Sequence, residues 1–125
     1  MQYKVIVETL PNDAPQIHEM RAALLLASHF KTDVIFLRPQ SYRTPDLLIN
    51  GSKWEIKSPM GDGKKTIDNN LRAASKQSEN IILDLSRMKM HYDKVISRTR
   101  FYLQSDKKIR HLKIITKSGK IIDMR

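Results

Sequence analysis

Cysteine is absent from this chain, which excludes disulfide scaffolding, thiolate catalysis and cysteine-ligated zinc. Long apolar runs are absent too: nothing approaches the roughly 18 consecutive residues of a membrane span. The first residues, Met1-Gln2-Tyr3-Lys4-Val5-Ile6-Val7-Glu8, lack the basic-then-apolar layout of a signal peptide, so a cytoplasmic site of action is expected. The four histidines, His18, His29, His91 and His111, show no metal-ligand spacing. Glycine is scarce, and where it clusters, in Gly61-Asp62-Gly63-Lys64-Lys65-Thr66, the spacing between glycines is too short for a nucleotide-binding phosphate loop. Nucleotide hydrolysis is rejected on that ground.

Acidic residues are scarce in only one half. Residues 1–63 hold seven basic and seven acidic side chains, while residues 64–125 hold sixteen and six, so the entire formal charge of +10 lies downstream. Such a field attracts polyanions and accelerates encounter with nucleic acid, whose phosphates dominate affinity. At 125 residues and 40% apolar content the chain suffices for one domain, residues 1–125, with its own core.

One segment specifies a chemistry. In Thr44-Pro45-Asp46-Leu47-Leu48-Ile49-Asn50-Gly51-Ser52-Lys53-Trp54-Glu55-Ile56-Lys57, Asn50-Gly51 is the turn of a two-residue hairpin, because both positions must take positive φ. That turn fixes the register: Ile49 faces Ser52, Leu47 faces Trp54, and Asp46 falls opposite Glu55. Alternation then places Lys57 on the face of the two carboxylates and sends Leu47, Ile49, Trp54 and Ile56 to the other. Opposed Cβ atoms lie about 5 Å apart, where two like charges repel by roughly 3 kcal/mol at an effective dielectric of about 20. A cation is expected to relieve this. Mg²⁺ or another divalent cation, held by Asp46 and Glu55, suits the site, since Mg²⁺ binds through one or two carboxylates, water and phosphate oxygens. Lys57 would orient or deprotonate the attacking water, or stabilise charge developing on phosphate. A bare E-x-K on a solvated hairpin would carry none of this; Pro45, the turn and the neighbouring Trp54 strengthen the catalytic reading.

Around the hairpin the sequence alternates helix and strand. Tyr3–Glu8 suggests a short or edge strand. Asp13-Ala14-Pro15-Gln16 reads as a helix start with Asp13 as N-cap, and the helix runs to about Phe30, with Ile17, Met20, Leu24 and Ala27 as its core stripe, widened by Leu25 and Leu26. Asp33–Arg38 is a strand beside the hairpin. From Lys64 to Ser78, Ile67, Leu71, Ala74 and Ser78 form a packing face, leaving Lys65, Asn69, Arg72 and Lys76 exposed; these, with Lys64, are the expected nucleic-acid contacts. Asn80–Leu85 is a buried strand that completes a crossover unit. Residues 90–104 form a basic helix, with Val95, Ile96, Thr99, Tyr102 and Leu103 inward and Lys94, Arg98 and Arg100 outward. Its aromatics Tyr92, Phe101 and Tyr102 are able to stack bases, although core packing is their simpler use. Residues 111–124 make a closing hairpin around Ser118-Gly119. Thr66, Asn69, Asn70 and Gln77 are uncharged groups able to line a cleft, Asn69 and Gln77 being the named candidates.

The segment resembles the PD-(D/E)xK nuclease signature, with Pro45-Asp46 as the PD and Glu55-Ile56-Lys57 as the (D/E)xK. From about Thr44 to Ser86, the strings TPDLLINGSKWEIKSP and KKTIDNNLRAASKQSENIILDLS are similar to C-terminal toxin domains of contact-dependent growth inhibition proteins of the CdiA tRNase type. The resemblance implies an α/β fold, a PD-(D/E)xK restriction-endonuclease-like mixed sheet flanked by helices. It makes Asp46, Glu55 and Lys57 catalytic and RNA, particularly tRNA, the substrate. Polar residues of the following helix would lie close to the site. The superfamily often adds an acidic residue from the helix before the hairpin, here Glu19, for which a solvated helix face is the simpler reading. An acidic immunity protein or antitoxin would be the partner. Lacking the long delivery region of such effectors, the chain is expected to be an excised toxin domain, delivered as part of a secreted toxin, or a small stand-alone relative. A DNA endonuclease or resolvase of the same fold is the near alternative, and a non-catalytic basic nucleic-acid-binding module the more distant one.

Overall fold

The computed structural model describes residues 2–40 and 44–125. Seven strands, β1 (Val5–Val7), β2 (Val34–Phe36), β3 (Leu47–Ile49), β4 (Ser52–Lys57), β5 (Asn80–Asp84), β6 (His111–Ile115) and β7 (Ile121–Asp123), form one mixed sheet. Strand order across the sheet equals order along the chain. β1–β2, β4–β5 and β5–β6 are parallel, and β2–β3, β3–β4 and β6–β7 antiparallel. Each parallel pair is bridged by one helix: α1 (Ile17–Phe30), α2 (Lys64–Ser75) and α3 (Tyr92–Leu103), as parallel neighbours require.

The hairpin forms as its sequence dictates. Asn50 and Gly51 both take positive φ, 50° and 78°, the left-handed pair whose twist matches the flanking strands. Ile49 pairs with Ser52, Leu48 with Lys53 and Leu47 with Trp54, so the expected register holds.

Alternation along the strands feeds two cores. Leu47, Ile49, Trp54, Ile56 and Ile82 pack with Ala22, Ala23, Leu26 and Ala27 of α1 on one face. Ile81, Leu83, Leu112 and Ile114 pack with Ile67, Leu71 and Ala74 of α2 and Val95, Tyr102 and Leu103 of α3 on the other. The packing faces of α2 and α3 therefore fall where the 3.6-residue period puts them.

The first helix departs from expectation. Asp13 closes a short 3₁₀ turn, Pro11–Asp13; the N-cap is Gln16, whose capping box is completed by Glu19. Leu26 and Ala27 are buried as expected, joined by Ala22 and Ala23, whereas Ile17 is 91% and Leu24 54% exposed. All four buried residues lie in the core beneath the sheet, where small side chains pack without voids. No described helix is long and apolar enough to cross a membrane.

Candidate active site

Glu55 pairs with Ile81 and Lys57 with Leu83 across parallel strands, so both share the sheet face covered by α2. Asp46 lies one step beyond the Leu47–Trp54 pair, opposite Glu55, and its Oδ2 accepts the Ile56 amide at 3.1 Å. Lys57 Nζ sits 3.2 Å from Glu55 Oε2, with the lysine partly exposed and the glutamate buried. With its amide nitrogen turned to the carboxylate, Gln77 donates to both Glu55 oxygens at 2.7 and 2.6 Å. The structure thus brings together four residues expected at the site: Asp46, Glu55, Lys57 and Gln77.

Electrostatically this corner is under load. Burial, and then the Asp46 charge, push the Glu55 carboxyl up to about 8, despite the opposing pull of Lys57. Asp46 is raised too, chiefly by burial, while the Ile56 amide bond lowers it and the nearby Glu19 raises it. Two acids that both resist ionisation form a site that gains from a cation.

The cleft in front of Lys57 joins three parts of the fold. Gln16, His18 and Glu19 contribute from the start of α1, Ile56, Lys57 and Ser58 from the end of β4, Asn70 from α2, and Arg87 from the loop after β5. Glu19 therefore does reach the site, and its Oε1 also accepts the Gln16 amide at 2.9 Å. Asn70 Nδ2 donates to Thr66 O at 2.7 Å. Asn69 stands apart: it is exposed, and its Oδ1 accepts from Arg72 Nη1, so its expected place in the cleft is corrected to Asn70, one residue on. Lys65 and Arg72 of α2 and its C-cap Lys76 are exposed and do not line the cleft; the side chain of Lys64 lies outside the described part.

Sequence reasoning missed His18, Ser58 and Arg87. Arg87 Nη2 donates to Ser58 O at 2.7 Å, tying the loop after β5 to the end of β4. Beneath it, the fully buried Asp84 accepts Ser58 Oγ, Ser86 N and Ser86 Oγ at 2.9 to 3.1 Å. That carboxylate is satisfied and positions the strand ends. Two residues just past strands, with no periodicity around them, carry no local signal; only the tertiary meeting of β4 and β5 reveals them.

Among the described residues no cluster of three or more His, Cys, Asp or Glu is poised to enclose a metal. The two carboxylates nevertheless fit a hard cation of the Mg²⁺ kind, which takes much of its shell from water and phosphate. A second basic hollow, lined by Ser52, Glu79, Asn80, Lys107, Arg110, His111 and Arg125, lies at the opposite end of the sheet. There the Arg125 guanidinium is occupied by the carbonyls of Leu103, Asp106 and Ile109.

No curated protein matches the chain. Among solved structures, it superposes on a chain of the CdiA-CT/CdiI toxin and immunity complex from Burkholderia pseudomallei, with a TM-score of 0.69, 16% sequence identity and 98% coverage of both chains. That likeness is one of fold. Residues 43–121 match the family model of the contact-dependent growth inhibition CdiA C-terminal domain. Since that match spans most of the sheet, two of the helices and the whole carboxylate hairpin, the chain belongs to the CdiA C-terminal domain family of contact-dependent growth inhibition toxins.

Proposed function

We propose that this toxin domain is a metal-dependent endonuclease of the PD-(D/E)xK kind that hydrolyses phosphodiester bonds in RNA, with tRNA the favoured substrate. The observation that carries the reading is Glu55: a buried carboxyl pushed up to about 8, set against Asp46 and 3.2 Å from Lys57 at the mouth of a cleft. A structural hairpin has no need of two opposed acids, one of which pushes the other's carboxyl up, and the arrangement costs stability without a cation.

Asp46 and Glu55 would hold the divalent ion, and Glu19 adds negative potential from the third side. When bound, the ion supplies Lewis-acid polarisation of a phosphate oxygen and lowers the pKa of water. Gln77 holds the Glu55 carboxylate in place through both oxygens. Lys57, partly exposed, presents its ammonium to the cleft, where it orients the attacking water and stabilises charge on the phosphate. Hydrolysis adds water across one P–O bond, leaving a phosphomonoester and a free hydroxyl. Arg87, at the cleft rim, is placed to bind a neighbouring phosphate. The basic outer face of α2, with Lys65, Arg72 and Lys76, extends the positive field for the rest of the polynucleotide. RNA is favoured over DNA by the likeness of residues 44–86 to tRNase toxin domains. Because the structural match is to a toxin held with its immunity protein, a cognate immunity protein is the proposed protein partner.

Purified protein is incubated with end-labelled tRNA, other RNA and duplex DNA, in Mg²⁺ or chelator, beside folded Glu55→Ala and Lys57→Ala variants. Discrete tRNA cleavage that requires the metal and both side chains supports the reading. Cleavage of DNA instead moves it to a DNA endonuclease of this fold, and binding without cleavage in any metal sinks the hydrolytic reading.

A further inference from the structure

The aromatic residues of α3 separate sharply in the structure. Tyr102 is core, 8% exposed, with its hydroxyl donating to Asp106 Oδ2 at 2.9 Å. Phe101, beside it, is 60% exposed, so core packing does not account for it. Its ring is nevertheless held in place. The Arg98 guanidinium lies 4.8 Å from the ring centroid, and Arg98 is itself fixed by two hydrogen bonds to Asp68 of α2, one of them Nε to Oδ1 at 2.9 Å. An exposed phenyl ring backed by an immobilised guanidinium is a preformed stacking surface, since most of the ordering entropy has been lost already in the free protein.

The surroundings suit one kind of occupant. Phe101 and Arg98 line a hollow with Lys94, Ser97, Asp62 and Gly63, so an aromatic platform sits among a cation for phosphate and polar groups able to meet the edge of a base. Gly63 is the N-cap of α2, whose free amides attract phosphate. Asp68, which anchors Arg98, and Asn70, which lines the active-site cleft, stand two residues apart and hence on nearly opposite sides of that helix. A polynucleotide crossing the start of α2 would therefore have one nucleotide in the cleft and another, further along the strand, at Phe101. The charge excess of the downstream half, interleaved here with an exposed aromatic, fits nucleic acid better than an apolar protein surface.

We infer that the hollow between the start of α2 and α3 binds a single unpaired nucleobase of the substrate strand, stacked on Phe101. This rests on the nucleic-acid reading of the cleft but not on hydrolysis. It makes Phe101 a specificity residue for unpaired or flexible RNA over continuous duplex.

Fluorescence anisotropy in chelator, where no cleavage occurs, measures the affinity of wild-type protein, Phe101→Leu and Phe101→Tyr for a short single-stranded RNA and for a duplex of equal length. Phe101→Leu is expected to weaken single-strand binding about 5- to 150-fold, Phe101→Tyr to stay near wild type, and duplex binding to change little in either. Thermal unfolding of each variant checks that the fold is kept, as the 60% exposure of Phe101 leads one to expect. Unchanged single-strand affinity in Phe101→Leu, or an equal loss on duplex, overturns the inference and leaves the ring to a protein interface. If single strands bind through Phe101 but nothing is cleaved in any metal, the hydrolytic reading fails and this one stands. Cleavage with an indifferent Phe101→Leu gives the reverse.

Discussion

Two charged clusters lie on opposite sides of α2 and differ in kind. Asp68 and Arg98 are opposite charges, doubly hydrogen-bonded and partly open to water; the guanidinium holds the Asp68 carboxyl below its usual range. Asp46 and Glu55 are like charges, the first half-buried and the second buried, each raised above the usual carboxylate range. The first pair is content as it stands. The second is stable only with a proton or a cation between its members, and a fold tolerates that where it serves chemistry. Charge clusters are therefore informative by their sign balance, not their number.

The comparison breaks most visibly in activity. Glu55→Ala and Lys57→Ala should each lower RNA cleavage by about 10²- to 10⁴-fold, while Asp68→Asn leaves single-turnover cleavage of a small substrate near wild type. If Asp68→Asn is as damaging to that cleavage as Glu55→Ala, the division into a hydrolytic and a non-hydrolytic pair is wrong.

Stability should then move in opposite directions with pH. Glu55 is raised, so the folded state binds more protons than the unfolded one between about pH 4.5 and 8; its contribution is complete at the acid end and lost as pH rises through that window. Asp68 is lowered, so its contribution is present above the ordinary aspartate pKa and lost on acidification. Urea midpoints of the metal-free protein should fall from pH 5 to pH 8 in wild type but not in Glu55→Gln, and Mg²⁺ should restore stability at pH 8 only where both carboxylates remain.

Neutralising the strained member should itself stabilise. Glu55→Gln removes a disfavoured charge and is expected to raise metal-free stability at pH 8 by about 1–3 kcal/mol, read as a higher melting temperature in an inactive protein. Smallest of all, Asp68→Ala should cost about 1 kcal/mol, because its partner guanidinium stays partly solvated, and the loss should shrink in high salt.

How much of this was legible in the sequence depended on how local each cause is. The hairpin was legible, since Asn50-Gly51 admits one turn and that turn sets the partners of every residue to Asp46 and Lys57. The helices over Ile67, Leu71 and Ala74 and over Val95, Thr99 and Tyr102 were legible from their periods. The start of α1 was not, because Asp13-Ala14-Pro15-Gln16 imitates a cap whose place is taken by Gln16 and Glu19. Its buried face was read in part: Leu26 and Ala27 were foreseen, whereas hydrophobicity favoured Ile17 and Leu24 over Ala22 and Ala23, which the core takes in instead. At the site, Asp46, Glu55 and Lys57 share one hairpin and were foreseen together. Gln77 was among the weaker candidates, and His18 and Arg87 were missed, since they arrive from elements that meet only in three dimensions.

The order of the seven strands has a consequence for how the domain is made. Each strand is a sheet neighbour of the one before it in the chain, so no strand must wait for a distant segment to slot in beside it. A chain that enters its folding compartment from either end can add strand after strand to an edge already laid down, which keeps loop closures short and limits the time that apolar edges such as β2 or β5 stand open.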